Sequence, residues 1–300
     1  MQGFLNLNKP LQMTSHDCVA KLRRLLRLKK IGHAGTLDPA AVGVLPVAIG
    51  KATRLLQFLR DDKAYHATIR LGVQTTTDDL EGEIISQIAA NNLNLETIKD
   101  ILNQSFVGKI QQIPPNYSAI QVAGKRLYDL ARRGEEINVA AREVQIYKIE
   151  VLAWRPAEYP EIDLNISCGP GTYIRSIARD LGKTLNIGGT LAHLTRTESS
   201  GFSLADSMTF DAIEDSLNQG TFQLVNPQKA LSHLTSITLT ETTAKRWCQG
   251  QKIAYFEAET NYINNFVQVY NESKILLGIG KIEIREDRPV LIPEVVLEAI

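Results

Sequence analysis

The stretch Gly32-His33-Ala34-Gly35-Thr36-Leu37-Asp38-Pro39-Ala40-Ala41-Val42-Gly43-Val44-Leu45-Pro46 constrains this chain more than any other. Three glycines and two prolines in fifteen residues predict an irregular loop, too broken for a helix or a regular strand. Yet the segment carries a histidine, a carboxylate and several apolar residues, unlike a solvated linker. A loop of that composition is held rigid by burial and presents a polar group for use. Asp38 is the candidate. Pro39 restricts it to extended geometry, and Leu37 beside it can anchor the loop in the core. An Asp-Pro pair is also a common turn starter, so the rest of the chain must decide between the two readings.

Three hundred residues are enough for one large domain and a smaller one with a sizeable core. Lys plus Arg and Asp plus Glu stand at 33 each, so the formal charge is zero. The distribution is uneven. Residues 1–60 hold ten cations, Lys9, Lys21, Arg23, Arg24, Arg27, Lys29, Lys30, Lys51, Arg54 and Arg60, against Asp17 and Asp38. Screening confines charge interactions to about 10 Å, so a nucleic-acid backbone responds to that local excess and not to the total. Cys18, Cys168 and Cys248 are odd in number and far apart, which fits a reducing compartment and supplies neither a disulfide framework nor a zinc site. With no signal-peptide pattern and no apolar run of membrane-spanning length, the expectation is a cytoplasmic protein without a membrane segment or a metal.

Gly3 to Asn8 alternates like a short strand. Thr14 or Ser15 can then cap a helix whose apolar face is Val19, Leu22, Leu25 and Leu26, with six cations on its other sides. Gly50-Lys51-Ala52-Thr53 invites a phosphate-loop reading, which fails: Gly43 is two residues too far away, and Ala52 replaces the magnesium-binding hydroxyl. Thr53 to Leu59 reads better as a helix burying Leu55, Leu56 and Leu59. Lys63 to Gly72 reads as a half-buried strand, with Tyr65, Ala67, Ile69 and Leu71 inward and Ala64, His66, Thr68 and Arg70 on the other face. Residues 94–106 predict a helix with Ile98, Ile101, Leu102 and Phe106 inward. Two long strands follow, Arg142 to Trp154 and Glu161 to Cys168, and Thr172 can cap a helix burying Ile174, Ile177, Ala178 and Leu181. Arg175 in the first turn of that helix opposes the dipole and so needs a partner. From about Thr235 short strands dominate.

These residues carry a resemblance. The opening stretch resembles the catalytic loop of the TruB family of tRNA pseudouridine synthases, G-H-x-G-T-L-D-P-x-A-x-G-V-L-P, at nearly every fixed position. Lys9-Pro10 through Ser15 resembles that family's K-P-x-G-x-[ST]-S opening, with Gln12 where glycine is usual. Lys63-Ala64-Tyr65 resembles its K-x-Y strand, Thr75 to Gly82 its T-x-T-x-D-x-x-G turn, Gly171 to Arg175 its G-T-Y-I-R motif and Leu194-Thr195-Arg196 its L-x-R segment. Pro114 to Gly134 resembles the family's insertion, with Gln121 where lysine is usual. The resemblance implies an α+β pseudouridine-synthase fold, with a central mixed, largely antiparallel sheet flanked by helices. A catalytic domain over 1–234, with an RNA-binding insertion at about 108–142, would precede a small PUA-like β domain over 235–300. It implies Asp38 as catalytic aspartate, Arg175 as its ion-pair partner and Tyr65 as the aromatic group on the flipped base. It further implies Lys9, His33, Asp79, Tyr173 and Leu194 as substrate contacts, His33 filling the vacated stacking position. No metal or organic cofactor is required. The expected partner is the T arm of tRNA, with uridine 55 as target, no obligate protein partner and a monomeric state.

Two other readings stand beside it. The chain could be an RNA-binding or RNA-folding module, which the joint presence of Asp38, Tyr65 and Arg175 argues against. It could also be a pseudouridine synthase acting on another RNA.

Overall fold

The computed structural model describes residues 1–115, 117, 121–122, 125–126, 139–254 and 263–297. In chain order the strands before the C-terminal region are β1 (Gly3–Lys9), β2 (Ile31–His33), β3 (Ala41–Ile49), β4 (Lys63–Leu71), β5 (Val73–Thr75), β6 (Ile84–Gln87), β7 (Gly108–Gln112), β8 (Gln121–Val122), β9 (Lys125–Arg126), β10 (Arg142–Arg155), β11 (Glu161–Cys168), β12 (Gly189–Ser199) and β13 (Phe202–Ser203). The large sheet runs β1-β3-β12-β4-β11-β10-β7, with β2 on β3 and β13 on β12. Its ladders are antiparallel except for β3 against β12, so the sheet is mixed and largely antiparallel. Most of the Pro114 to Gly134 segment lies outside the described residues.

One face of the sheet buries the core formed by Tyr65, Ala67, Ile69, Ile162, Leu164 and Ile166 with the helices Leu95–Ser105 and Ile174–Thr184. The alternation read from the sequence produces this face, as Ile98, Leu102 and Phe106 do on the first of those helices. Ala64 and Thr68, expected on an open face of β4, are also buried. The strand is central, flanked by β11 and β12, and the Thr68 hydroxyl donates to Asp163 at 2.7 Å. The helix Ser15–Leu25 starts as expected. Thr14 and Asp17 form a reciprocal cap, and Val19 and Leu22 pack with Leu5, Leu45 and Val47.

Three local expectations give way. Ala41–Ile49 is a regular nine-residue strand despite Gly43 and Pro46, and the irregular loop is confined to residues 34–40. Gly43 has φ +104°, and a Cβ there would lie 2.3 Å from the Arg196 carbonyl oxygen. Only glycine lets β12 approach β3 that closely. The segment after β3 is a 3-10 helix, Gly50–Phe58, with Leu55 buried and Leu56 only partly so. The helix Ile174–Thr184 is preceded by Tyr173 and not capped by Thr172, whose hydroxyl donates to the Gly169 carbonyl at 3.1 Å. The buried side chain of Gln112 takes over that end, accepting from the Tyr173 N–H at 2.8 Å and donating to its carbonyl at 3.0 Å. The same helix lies hard against β12, since a Cβ on Gly182 would sit 2.0 Å from the Gly189 nitrogen.

The C-terminal region forms a separate five-stranded sheet from β14 (Thr235–Leu239), β15 (Ile253–Ala254), β16 (Phe266–Asn271), β17 (Leu276–Arg285) and β18 (Arg288–Val296), in the order β14-β16-β17-β18-β15. The helix Glu241–Cys248 covers it through the fully buried Trp247. This sheet shares an apolar cluster with the large one: Leu276, Ile279, Val295 and Leu297 pack with Phe4, Val44, Ala52 and Leu55. Lys51 and Arg54 donate to the carbonyls of Leu297 and Val296 at 2.6 and 2.8 Å, so two of the basic-end cations serve this junction.

Candidate active site

The loop between β2 and β3 is built on a buried serine and a buried lysine. Ser15 Oγ accepts from the Leu37 N–H at 2.9 Å, and Leu37 is itself buried. Lys9 is fully buried, its ammonium donating to the carbonyls of Pro10 at 2.9 Å, Met13 at 2.6 Å and Pro39 at 3.4 Å. Burial pulls its pKa below the ordinary lysine value. All three ammonium protons of Lys9, expected as a substrate contact, meet backbone carbonyls that fix the entry and exit of the loop. Asp38, between those anchors, keeps 44 % of its side chain exposed.

Across the sheet end, Arg175 is buried and reaches Asp38 from the helix Ile174–Thr184. Its Nη2 lies 2.9 Å from Asp38 Oδ2, although 137 positions separate the two residues. The same guanidinium donates to the carbonyls of Thr77 at 3.1 Å and Tyr117 at 2.9 Å, and Nη1 stands 3.7 Å from Asp79 Oδ2. Asp79 is buried. Its Oδ1 accepts from the Thr77 hydroxyl and from the Glu81 N–H, and its Oδ2 faces Arg175. Asp78, beside it in the turn, is also paired. It is held at 3.1 Å by Arg179, one turn beyond Arg175, and desolvation pushes its carboxyl upward against that cation.

Tyr65 is buried on the same side, its hydroxyl pushed up to about 12, chiefly by burial. Opposite it on β12 stands Arg196, a residue the sequence reading passed over inside the L-x-R segment. Its signal was available: a strand interior that places a charge on an inward position asks for a reason. Leu194 is half-buried and pairs with Ala41, close to the loop. The His33 ring meets His16 edge-on with centroids 5.4 Å apart, and burial, His16 and Arg196 lower its pKa. Tyr173 is half-buried beneath the Arg142 guanidinium, 5.7 Å from its ring.

Set against known proteins, residues 23–174 match the family model described as TruB family pseudouridylate synthase, N-terminal domain. Residues 235–297 match the model described as pseudouridine synthase II TruB, C-terminal. The chain belongs to the TruB family of pseudouridine synthases. It is 58 % identical to the tRNA pseudouridine synthase B of Trichormus variabilis over 301 aligned residues, covering 100 % of both chains. The protein of the same name from Gloeobacter violaceus is 48 % identical, with 97 % of this chain and 99 % of that one covered. Among solved structures, a Cbf5-Nop10-Gar1 complex contains a similar chain, with TM-score 0.74 and 25 % identity, covering 99 % of this chain and 84 % of that one.

Asp38 and Arg175 thus meet at one end of the large sheet, and Tyr65 lies near enough to Asp38 to feel its charge. Among the described residues no cluster of His, Cys, Asp and Glu could hold a metal ion, and no helix is long and apolar enough to cross a membrane. A cavity of about 610 Å³ lies elsewhere, between the β5–β6 hairpin and Arg70, Arg155 and Tyr159. Geometry and chemistry outweigh enclosure here, because a site for one base of a folded polymer must be open to admit its neighbours.

Proposed function

We propose that this chain isomerises uridine 55 in the T loop of tRNA to pseudouridine, with Asp38 as the nucleophile acting on a flipped-out base. The observation that carries the reading is the 2.9 Å pairing of half-exposed Asp38 with buried Arg175, which keeps the carboxylate fixed while leaving it open to a substrate. The reaction breaks the bond from N1 of uracil to the sugar C1′, turns the base, joins C5 to C1′ and removes the C5 proton. It neither oxidises the substrate nor transfers a group away from it, so side chains suffice. Extruding the base costs a few kcal/mol, and His33 fills the space it leaves. Tyr65 stacks on the uracil and accepts the C5 proton, while Leu194 and Tyr173 line the pocket. Lys9 and Asp79 act one step back, on the loop and on Arg175.

In this reading residues 1–234 form the catalytic domain, with an RNA-binding insertion at about 108–142, and 235–300 form a PUA-like RNA-binding domain. The enzyme works as a monomer in the cytoplasm without an obligate protein partner. Relatives of 48–58 % identity that carry the tRNA pseudouridine synthase B name support the substrate. The test is to incubate the purified chain with an unmodified tRNA transcript and map pseudouridine along it. Modification at position 55 alone is expected; an unmodified T loop would sink the proposal.

A further inference from the structure

One buried cation of the large sheet is not accounted for by the Asp38–Arg175 pair. Arg196 is 1 % exposed. Its Nε donates to the Val44 carbonyl at 2.7 Å and its Nη2 to the Gly35 carbonyl at 3.0 Å, so it joins β3 to the first turn of the loop that carries Asp38. Its Nη1 lies 3.3 Å from where a Cβ on Gly35 would be, which ties the glycine at that turn to the arginine. The register of β12 on β4 sets Arg196 directly across from Tyr65, and each group feels the other's charge. Among the described residues Arg196 has no carboxylate in ion-pair contact, unlike Arg175 and Arg179. Burying a guanidinium without an anion is costly, and the group it faces is one that can become an anion.

We propose that Arg196 is a positioning residue for the isomerisation: it clamps the Tyr65 hydroxyl to the catalytic loop and supplies the counter-charge when that oxygen is negative. The inference rests on Tyr65 being the acceptor of the C5 proton. In that step the Tyr65 phenol first passes its own proton to a water; the C5–H bond of the rejoined uracil then breaks and its proton goes to the phenolate oxygen so formed. The electron pair forms the C5–C6 double bond, the former C6–N1 pair moves onto N1, and N1 takes a proton from water. The charged or titratable groups facing Tyr65 are Arg196 on β12, Cys168 on β11 and Asp38 on the loop. Burial, Cys168 and Asp38 all disfavour the phenolate, and Arg196 is the group that opposes them. Lys63, whose pKa burial and Arg196 lower, reaches the same Gly35 turn, its Cε 3.5 Å from where a Cβ on that glycine would be.

The test uses the full chain with tRNA carrying deuterium at C5 of the target uridine, under single-turnover conditions. Arg196→Gln keeps a donor for the carbonyls but removes the charge. It should slow product formation by about 10²-fold, the usual size of an acid–base contribution, with tRNA affinity unchanged. It should also show a primary deuterium isotope effect, because proton removal has become limiting. Arg196→Lys, which restores the charge, should recover to within about tenfold of wild type and lose that effect. A merely structural defect would slow the variant without an isotope effect, and that result, or a wild-type rate in Arg196→Gln, overturns the inference. Should Arg196→Gln fail to fold, Arg196→Lys alone decides: a rate as low as that of Tyr65→Phe, without an isotope effect, counts against it. Tyr65→Phe measured alongside separates the two layers, since a wild-type rate there removes Tyr65 as acceptor whatever Arg196 does.

Discussion

Two arginine–carboxylate networks sit on the same large sheet and are built on opposite principles. At the loop end, Arg175 is buried and spends two of its donors on backbone carbonyls, then shares its charge between Asp38 and Asp79. At the outer end, Arg155 forks onto Asp163 at 2.6 and 2.7 Å and reaches Glu161 at 3.3 Å, while Arg70 meets Glu161 at 2.8 Å. There the arginines are the exposed partners and the carboxylates the sheltered ones; at the loop end the order is reversed, with the arginine sheltered and Asp38 exposed. The lesson is which partner keeps its freedom. A carboxylate enclosed by its arginines is a strut, and one that stays open beside a buried arginine can still meet a substrate.

The sharpest way to break this contrast is Asp38→Asn, which removes the charge but little volume. Turnover on tRNA should fall by roughly 10³-fold or more while tRNA affinity measured by filter binding changes little. The matching change at the outer network, Asp163→Asn, should leave turnover near wild type, and comparable losses at both would erase the distinction. Next in size is stability. Arg175→Met strands Asp79 beside a lost cation and should cost about 3 kcal/mol in denaturant titrations, because removing one partner leaves a buried charge. Arg155→Met, at the solvent edge, should cost less than about 1 kcal/mol.

A smaller effect sharpens the contrast through pH. Arg155, and then Thr68, hold the Asp163 carboxyl down to about 2 against its desolvation. A depressed carboxylate stabilises the fold above its unfolded value, near 3.9, and that contribution is lost as the pH falls toward about 2. Urea midpoints recorded from pH 5 to pH 2 should fall more steeply for wild type than for Asp163→Asn, and parallel curves would deny the strut its role. The smallest expected effect concerns the basic end. Arg24, Arg27 and Lys29 are exposed, whereas Lys21 pairs with Glu214 at 3.6 Å and Arg23 donates to the Ile31 carbonyl at 2.9 Å. Replacing those three exposed cations with Gln should flatten the log–log salt dependence of tRNA binding by roughly 0.7 to 0.9 per lost phosphate contact. An unchanged slope would assign that basic segment to solvent.

By itself the sequence determined what local pattern can determine. The alternation of Lys63 to Leu71 and the spacing of Ile98, Leu102 and Phe106 record which side of an element is apolar, and burial follows from that. Asp38 was legible because a loop so rich in glycine and proline, yet apolar, has a reason to be rigid. Arg175 was legible as a cation out of place in a first helical turn, although only the family resemblance supplied its partner. What the tertiary structure decided were the contacts between segments far apart in the chain. That Gly43 and Pro46 sit in a regular strand depends on how closely β12 approaches. That Lys9 and Asp79 point at the loop and at Arg175 depends on which carbonyls and cations fold within 4 Å of them. Arg196 is the clearest case, since its neighbours Gly35, Val44 and Tyr65 lie at least 131 positions away and meet it only through strand register. Periodicity reports the direction a side chain takes from its own backbone, and the charge, carbonyl or ring waiting there is fixed by packing alone.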